Sequence, residues 1–271
     1  MIAAMGTTAL FLALGAAVLH ALWNLLLRGC ADTQAASAFA LVTGVVMLVP
    51  VSVFTWDVEF GAWPYILASG ALELAYLAML AAAYGRFELS VVYPVARGLA
   101  PVWTLVLAVL VVSASPSTAE IGGVLVVAMG ILLVRGVAEG RGAAVGVVIA
   151  ASIGGYTLVD RYGIRHADAA TYLLLVMLGP ALVYPPLVGL ARVRRALSTQ
   201  TVLVGILSMG AYVLVLLALR RASAPAVSAV RETSVVIATV LAAIFLRERV
   251  TPWRLAGAGL VAAGVALLAL S

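Results

Sequence analysis

The sequence predicts an all-α polytopic membrane protein: ten transmembrane helices arranged as two inverted five-helix repeats. Three observations carry that expectation. Its 271 residues are 65% hydrophobic and only 10% charged, with a mean hydropathy of +1.19. The apolar residues form continuous runs of roughly 20, the length that crosses a bilayer as a helix, rather than the alternation of strands. Two arginines buried in such runs, Arg97 and Arg231, recur 134 positions apart. A soluble domain of this size lacks the interior to hide so much apolar surface.

Charge, proline and glycine break the chain into runs at 6–27, 34–55, 64–85, 90–112 and 118–135, then 142–161, 169–190, 198–219, 225–246 and 252–270. The connections are short, so no separate extramembranous domain is expected. Trp56, Trp63, Tyr65 and Trp253 fall near breaks, where amphipathic rings favour the membrane–water interface. The start lacks the basic n-region of a secretory signal, and the first run reads as a retained span.

Holding the 134-residue offset pairs Gly123 with Gly257 and Gly130 with Gly264, besides the arginines. Tyr76 pairs with Tyr212 at an offset of 136, a two-residue change that a loop absorbs. The glycine- and charge-rich stretch 135–142 is the expected junction, giving repeats at 1–135 and 142–271. Five spans is an odd number, so the second copy enters the membrane from the opposite side. Transporters use such inverted repeats to alternate access to a site between the halves.

The remaining composition excludes several classes. Every one of the 16 cationic side chains is arginine, which fits a GC-rich bacterial genome and an inner-membrane protein. They lie one to three per loop without a basic patch, so no nucleic acid partner is expected. Cys30 is the single cysteine, which excludes an intrachain disulfide and a cysteine-built metal site. No nucleotide-binding loop, metal-spaced histidine pair or nucleophile elbow occurs, so neither cofactor, metal nor catalytic group is expected. Odd-numbered breaks hold more arginines than even-numbered ones, and the positive-inside rule then places both termini outside.

Polar residues recur on one face of several runs. His20, Trp23 and Asn24 are spaced i, i+3, i+4; Glu73 with Tyr76, Tyr93 with Arg97, Tyr156 with Asp160, and Ser208 with Tyr212 follow the same rule. Arg231 and Glu232 are adjacent and point roughly 100° apart, so they are poor partners for each other. A charge at mid-helix costs roughly 2.5–3.5 kcal/mol on the insertion scale. These stripes are therefore expected to converge on a shared, hydrated interior. The competing reading is structural: each arginine closes an ion pair with Glu73, Glu232 or Asp160, and the tyrosines tie helices together.

His-Ala-Leu-Trp-Asn at 20–24, Tyr-Pro-Val-Ala-Arg-Gly at 93–98, Tyr-Thr-Leu-Val-Asp-Arg at 156–161 and Arg-Glu-Thr-Ser at 231–234 together resemble the drug/metabolite transporter superfamily. The closer likeness is to a bacterial member with two EamA-type domains. That resemblance implies a secondary carrier or exporter of small metabolites with its cavity between the halves, and cytoplasmic termini, against the arginine count. The family's Gly-Glu before the fifth and tenth spans is absent here: Ala114-Ser115 and Arg247-Glu248 stand there instead.

The expectation is thus a multi-pass inner-membrane exporter of a small polar or amphipathic solute, acting as monomer or homodimer among membrane lipids. Arg97 and Arg231 are assigned to an anionic group such as a carboxylate, with Tyr93, Trp23, Asn24, Tyr76, Tyr156 and Tyr212 shaping the cavity. Glu73, Asp160, Glu232 and His20 are the candidates for proton coupling. The alternatives are an intramembrane enzyme acting on lipid head groups, or a non-transporting subunit of a membrane complex.

Overall fold

In lipid a backbone must satisfy its own hydrogen bonds, so continuous apolar runs become helices. The computed structural model describes residues 5–84, 86–87, 89–135, 141–245 and 251–270. Among these the first half forms α1 (Thr7–Arg28), α2 (Thr33–Phe54), α3 (Trp63–Tyr84), α4 (Leu89–Val112) and α5 (Thr118–Arg135). The second forms α6 (Arg141–Gly163), α7 (Ala169–Val188), α8 (Leu190–Arg195), α9 (Thr199–Leu219), α10 (Ala224–Arg231), α11 (Thr233–Phe245) and α12 (Pro252–Leu270). The only extended pairing among the described residues is an isolated antiparallel bridge between Val58 and Ala167. Among the described residues, eight helices are long and apolar enough to span a membrane. The chain is an all-α polytopic membrane protein.

Three of the ten expected runs differ in detail. The fifth is a shorter apolar helix over Thr118–Val134. The seventh stops at Val188, because Pro185 and Pro186 remove backbone donors and Gly189 turns the chain with φ of 104°, leaving α8 as a separate short helix. The ninth is broken. Glu232 ends α10, donating its N–H to Ala229 O at 3.1 Å and accepting from Val235 N at 3.0 Å, both i→i+3 bonds that tighten the turn. The junction at 136–140 and residues Arg247–Glu248 lie outside the described residues.

The helices bury many small residues beside larger ones such as Tyr172 and Ile131, and leave large apolar side chains on the outer surface. α1 buries Ala9, Ala13, Ala16, Ala17 and Ala21, whereas Phe54, Leu110 and Leu270 are exposed to the surroundings. Without water to drive association, packing rests on close backbone approach. Gly130 of α5 meets Gly257 of α12, where a β-carbon on Gly130 would lie 2.7 Å from Gly257 O. Gly123 and Gly264 meet one further pair of turns along, so the two helices cross antiparallel.

α5 packs on α12, α4 on α6, α3 on both α6 and α7, and α2 on α7. α1 packs on α9, α10 and α11, and α2 also packs on α9. Taking α10–α11 as one crossing and setting α8 aside, replacing each helix by the one five crossings further on returns the same pairs. Each end of the bundle is tied. At one end, Glu59 N donates to His166 O and Asp168 N to Asp57 O, both at 2.8 Å, flanking the Val58–Ala167 bridge. His166 Nδ1 adds a 2.7 Å contact with Glu59 Oε2, and Arg220 donates to Ala167 O. At the other end, Arg192 donates to both carboxyl oxygens of Asp32, at 3.0 and 3.1 Å.

Candidate functional site

The polar stripes meet inside the bundle around a cavity of about 210 Å3. α1 supplies His20, Trp23 and Asn24; α3 supplies Glu73 and Tyr76; α6 supplies Tyr156; α9 supplies Ser208 and Tyr212. Arg97 of α4 and Arg231, the last residue of α10, complete the polar wall. The lining begins at Ala16, Glu73, Tyr156 and Val215 and runs to Leu27, Ser37, Tyr184 and Val204. It therefore extends from the middle of the helices toward the end tied by Asp32 and Arg192. Among the described residues, the opposite end, tied by the Val58–Ala167 bridge, contributes no lining residue.

The helical registers explain who faces the cavity. His20 and Trp23 stand one turn apart with rings 4.7 Å apart edge to face, and Asn24 folds back to donate to His20 O at 2.8 Å. Tyr76, Tyr156 and Tyr212 form an aromatic row from three helices, with successive centroids 6.2 Å apart. Tyr93 lies on α4, and its side chain falls outside the described residues.

The two arginines have different surroundings. Arg97 Nη2 lies 2.9 Å from Glu232 Oε1, with both side chains almost wholly buried, and 3.1 Å from His20 Nε2. A guanidinium has only donors, so His20 Nε2 is the acceptor and the ring proton sits on Nδ1. Glu232 follows Arg231 by one residue, and that step turns it away from the cavity and toward α4. Arg231 is 6% exposed and lies within hydrogen-bonding reach of the Tyr156 hydroxyl. Its Nε and Nη2 have no hydrogen-bond partner among the described residues.

A second layer stands behind the wall. Tyr212 Oη lies 2.9 Å from Glu73 Oε1 and 2.6 Å from Asp160 Oδ2. Asp160 Oδ1 also accepts from Ser69 Oγ at 2.6 Å and from Tyr172 Oη at 2.9 Å. Asp160 and Glu232 are thus one contact removed from the cavity rather than part of its lining. Ser69, Tyr172 and Tyr184 were not among the sequence candidates. Ser69 extends the Glu73 stripe by one turn, a signal present in the spacing; Tyr172 and Tyr184 belong to a run with no polar stripe.

No group of three or more metal-ligating side chains occurs among the described residues. What the site offers is the Arg231 guanidinium with two unpartnered donors among the described residues, the buried Arg97–Glu232 ion pair, and a hydroxyl held between two carboxyls, all inside an apolar shell.

Residues 140–270 match the EamA-like transporter family. The match covers just under half of the chain, the second of the two expected domains; 1–139 lie outside it. A solved crystal structure, described only as that of a protein, is similar over 97% of both chains with a TM-score of 0.73 at 15% identity. At that identity the likeness is one of fold. No curated protein matches the chain.

Proposed function

We propose that the chain is a secondary carrier that exports a small solute bearing an anionic group across a bacterial inner membrane. Residues 1–135 and 142–271 act as inverted halves around the cavity. The exchange pattern of helix pairs supports that division, and the EamA-like match over 140–270 supports a transporter of the drug/metabolite type. The observation that carries the substrate reading is Arg231: a buried cation on the cavity wall with Nε and Nη2 unpartnered among the described residues. Leaving buried donors unsatisfied is costly, and two adjacent guanidinium donors match a carboxylate in a bidentate fork. Trp23 and the tyrosine row suit an apolar or aromatic body behind that group. The volume is below the roughly 300–1,000 Å3 of drug-sized pockets and favours a small metabolite. A cavity whose lining extends toward one end of the bundle and not the other suits one state of alternating access.

The test is counterflow in proteoliposomes: vesicles loaded with an unlabelled organic acid should accumulate the labelled acid from outside, across a panel of small carboxylates. Arg231→Leu should abolish accumulation while the purified protein remains folded. Wild-type accumulation in that variant would return Arg231 to a structural role.

A further inference from the structure

The contacts of Tyr212 require a proton that its own hydroxyl does not supply. A phenol carries one hydrogen, yet Tyr212 Oη is within hydrogen-bond distance of two carboxyl oxygens, on Glu73 and on Asp160. Only one contact is a donation by tyrosine. The other is a hydrogen bond only when the carboxyl on that side carries a proton; otherwise two lone pairs face each other in a buried site. Ser69 and Tyr172 each give their single hydrogen to Asp160, which with Tyr212 makes three donated bonds and marks Asp160 as the ionised member. Among the described residues, Glu73 has a hydrogen bond to Tyr212 and lines the cavity. Glu73 is therefore where the proton sits, donating to Tyr212 Oη, while Tyr212 donates to Asp160.

We propose that Glu73, Tyr212 and Asp160 form a proton site, and that a proton on Glu73 and an anion at Arg231 bind together, so that the carrier moves a small organic anion with one proton. This rests on the carrier reading above and adds its coupling. Arg231 and Glu73 line the same cavity, with Asp160 one contact behind through Tyr212. When Glu73 is ionised, Arg231 already faces a carboxylate across the cavity, and an entering anion meets that negative charge. When Glu73 is neutral, the guanidinium keeps its attraction for the solute.

The other charged and titratable neighbours leave this balance in place. Arg97 of α4 is matched by Glu232, and His20 of α1 contacts Arg97 through its lone pair. Tyr156 of α6 and Tyr76 of α3 add hydroxyls to the wall, and Tyr172 of α7 is committed to Asp160. Protonation forms one O–H bond on the Glu73 carboxylate as one O–H bond of a hydronium ion from the medium breaks to leave water, and the step runs in reverse when the anion leaves. Linkage makes the effect reciprocal: the proton raises anion affinity as much as the anion raises proton affinity.

Benzenesulfonate is a suitable probe because it stays anionic throughout, so any proton taken up belongs to the protein. Its binding to purified protein is followed by tryptophan fluorescence from about pH 5 to about pH 9, with proton uptake counted in weak buffer. Wild type should take up one proton per anion bound above the midpoint, where affinity falls by about tenfold per pH unit. Glu73→Gln should bind at every pH with neither slope nor uptake. Wild-type binding with no pH dependence and no proton uptake overturns the linkage and leaves the anion site standing. A slope that survives Glu73→Gln and disappears in His20→Asn also overturns it, assigning the proton to His20. Absence of binding at every pH overturns the anion reading itself. Should Glu73→Gln fail to fold, His20→Asn decides: uptake and slope retained in that variant support the Glu73 site, and their loss overturns it.

Discussion

Replacing Glu232 with Gln removes the carboxylate that faces Arg97 in a fully buried setting. The contact is 2.9 Å between Arg97 Nη2 and Glu232 Oε1, with side-chain exposures of 6% and 0%. Two unit charges at about 4 Å interact by about 4 kcal/mol at an effective dielectric of about 20. Removing one partner of such a pair typically costs about 3–5 kcal/mol, because the other is left buried and uncompensated. Glu232→Gln and Arg97→Met should each destabilise the protein on that scale. The double variant should be no worse than either single one, since it strands no charge. Equilibrium unfolding in mixed micelles, followed by tryptophan fluorescence, gives the double-mutant cycle. Single costs that add within about 0.5 kcal/mol would refute the pairing.

Three further outcomes follow from the geometry. Gly130→Ala places a β-carbon 2.7 Å from Gly257 O and 2.8 Å from Val261 N, backbone atoms that move only if α5 and α12 separate. A loss of about 1–3 kcal/mol is expected in thermal unfolding, whereas Gly122→Ala, with nothing within 4 Å, should be tolerated. Cysteines at Val58 and Ala167, in a Cys30→Ser background, face each other across an antiparallel bridge, within disulfide range. Oxidation should arrest counterflow and reduction restore it; transport at full rate when cross-linked would show that this end stays closed throughout the cycle. Asp32 is held below the usual carboxylate range, first by its hydrogen bond from Arg192 and then by the Ala35 N–H. A lowered folded value means that the pair contributes above the ordinary aspartate value near 4 and loses that contribution as pH falls through the folded value. Both side chains are about half exposed, so Arg192→Gln should change stability little at neutral pH, and less again in high salt.

Much of the molecule was legible because lipid simplifies the code. Continuous apolar runs have one stable outcome, and a polar residue every third or fourth position has one economical direction to face. Those two rules are enough to bring His20, Glu73, Arg97, Tyr156, Tyr212 and Arg231 to one cavity. What the spacing does not encode is pairing between distant helices. Arg97 and Glu232 are 135 positions apart, and nothing local distinguishes Glu232 from Glu73 as the partner. The break at Glu232 was also hidden, because no glycine or proline marks it; two i→i+3 bonds and the demands of a charged pair do. The early end of α7 did carry a signal, in Pro185, Pro186 and Gly189, which the hydropathy of the run outweighed.

The symmetry expected between the two arginines takes an asymmetric form in the folded chain. Equivalent in sequence, they differ in company: Arg97 is engaged by Glu232 and His20, while Arg231, on the cavity wall, has two buried donors with no hydrogen-bond partner among the described residues. Glu73 and Tyr212 of the proposed proton site share the cavity wall with Arg231, and Asp160 stands behind them. On the proposed function, that difference gives the two arginines separate jobs, one pairing with Glu232 and one meeting the solute.

The measurement that bears on this most directly is the position of a bound anion. Crystals grown with 4-bromobenzenesulfonate report the ring through the anomalous signal of bromine, and the sulfonate through ordinary density. The account predicts the sulfonate beside Arg231, with oxygens about 2.7–2.9 Å from Nε and Nη2, and the ring among Trp23 and the tyrosines. A sulfonate seated on Arg97 with Glu232 displaced, or no anion in the cavity at all, would contradict it.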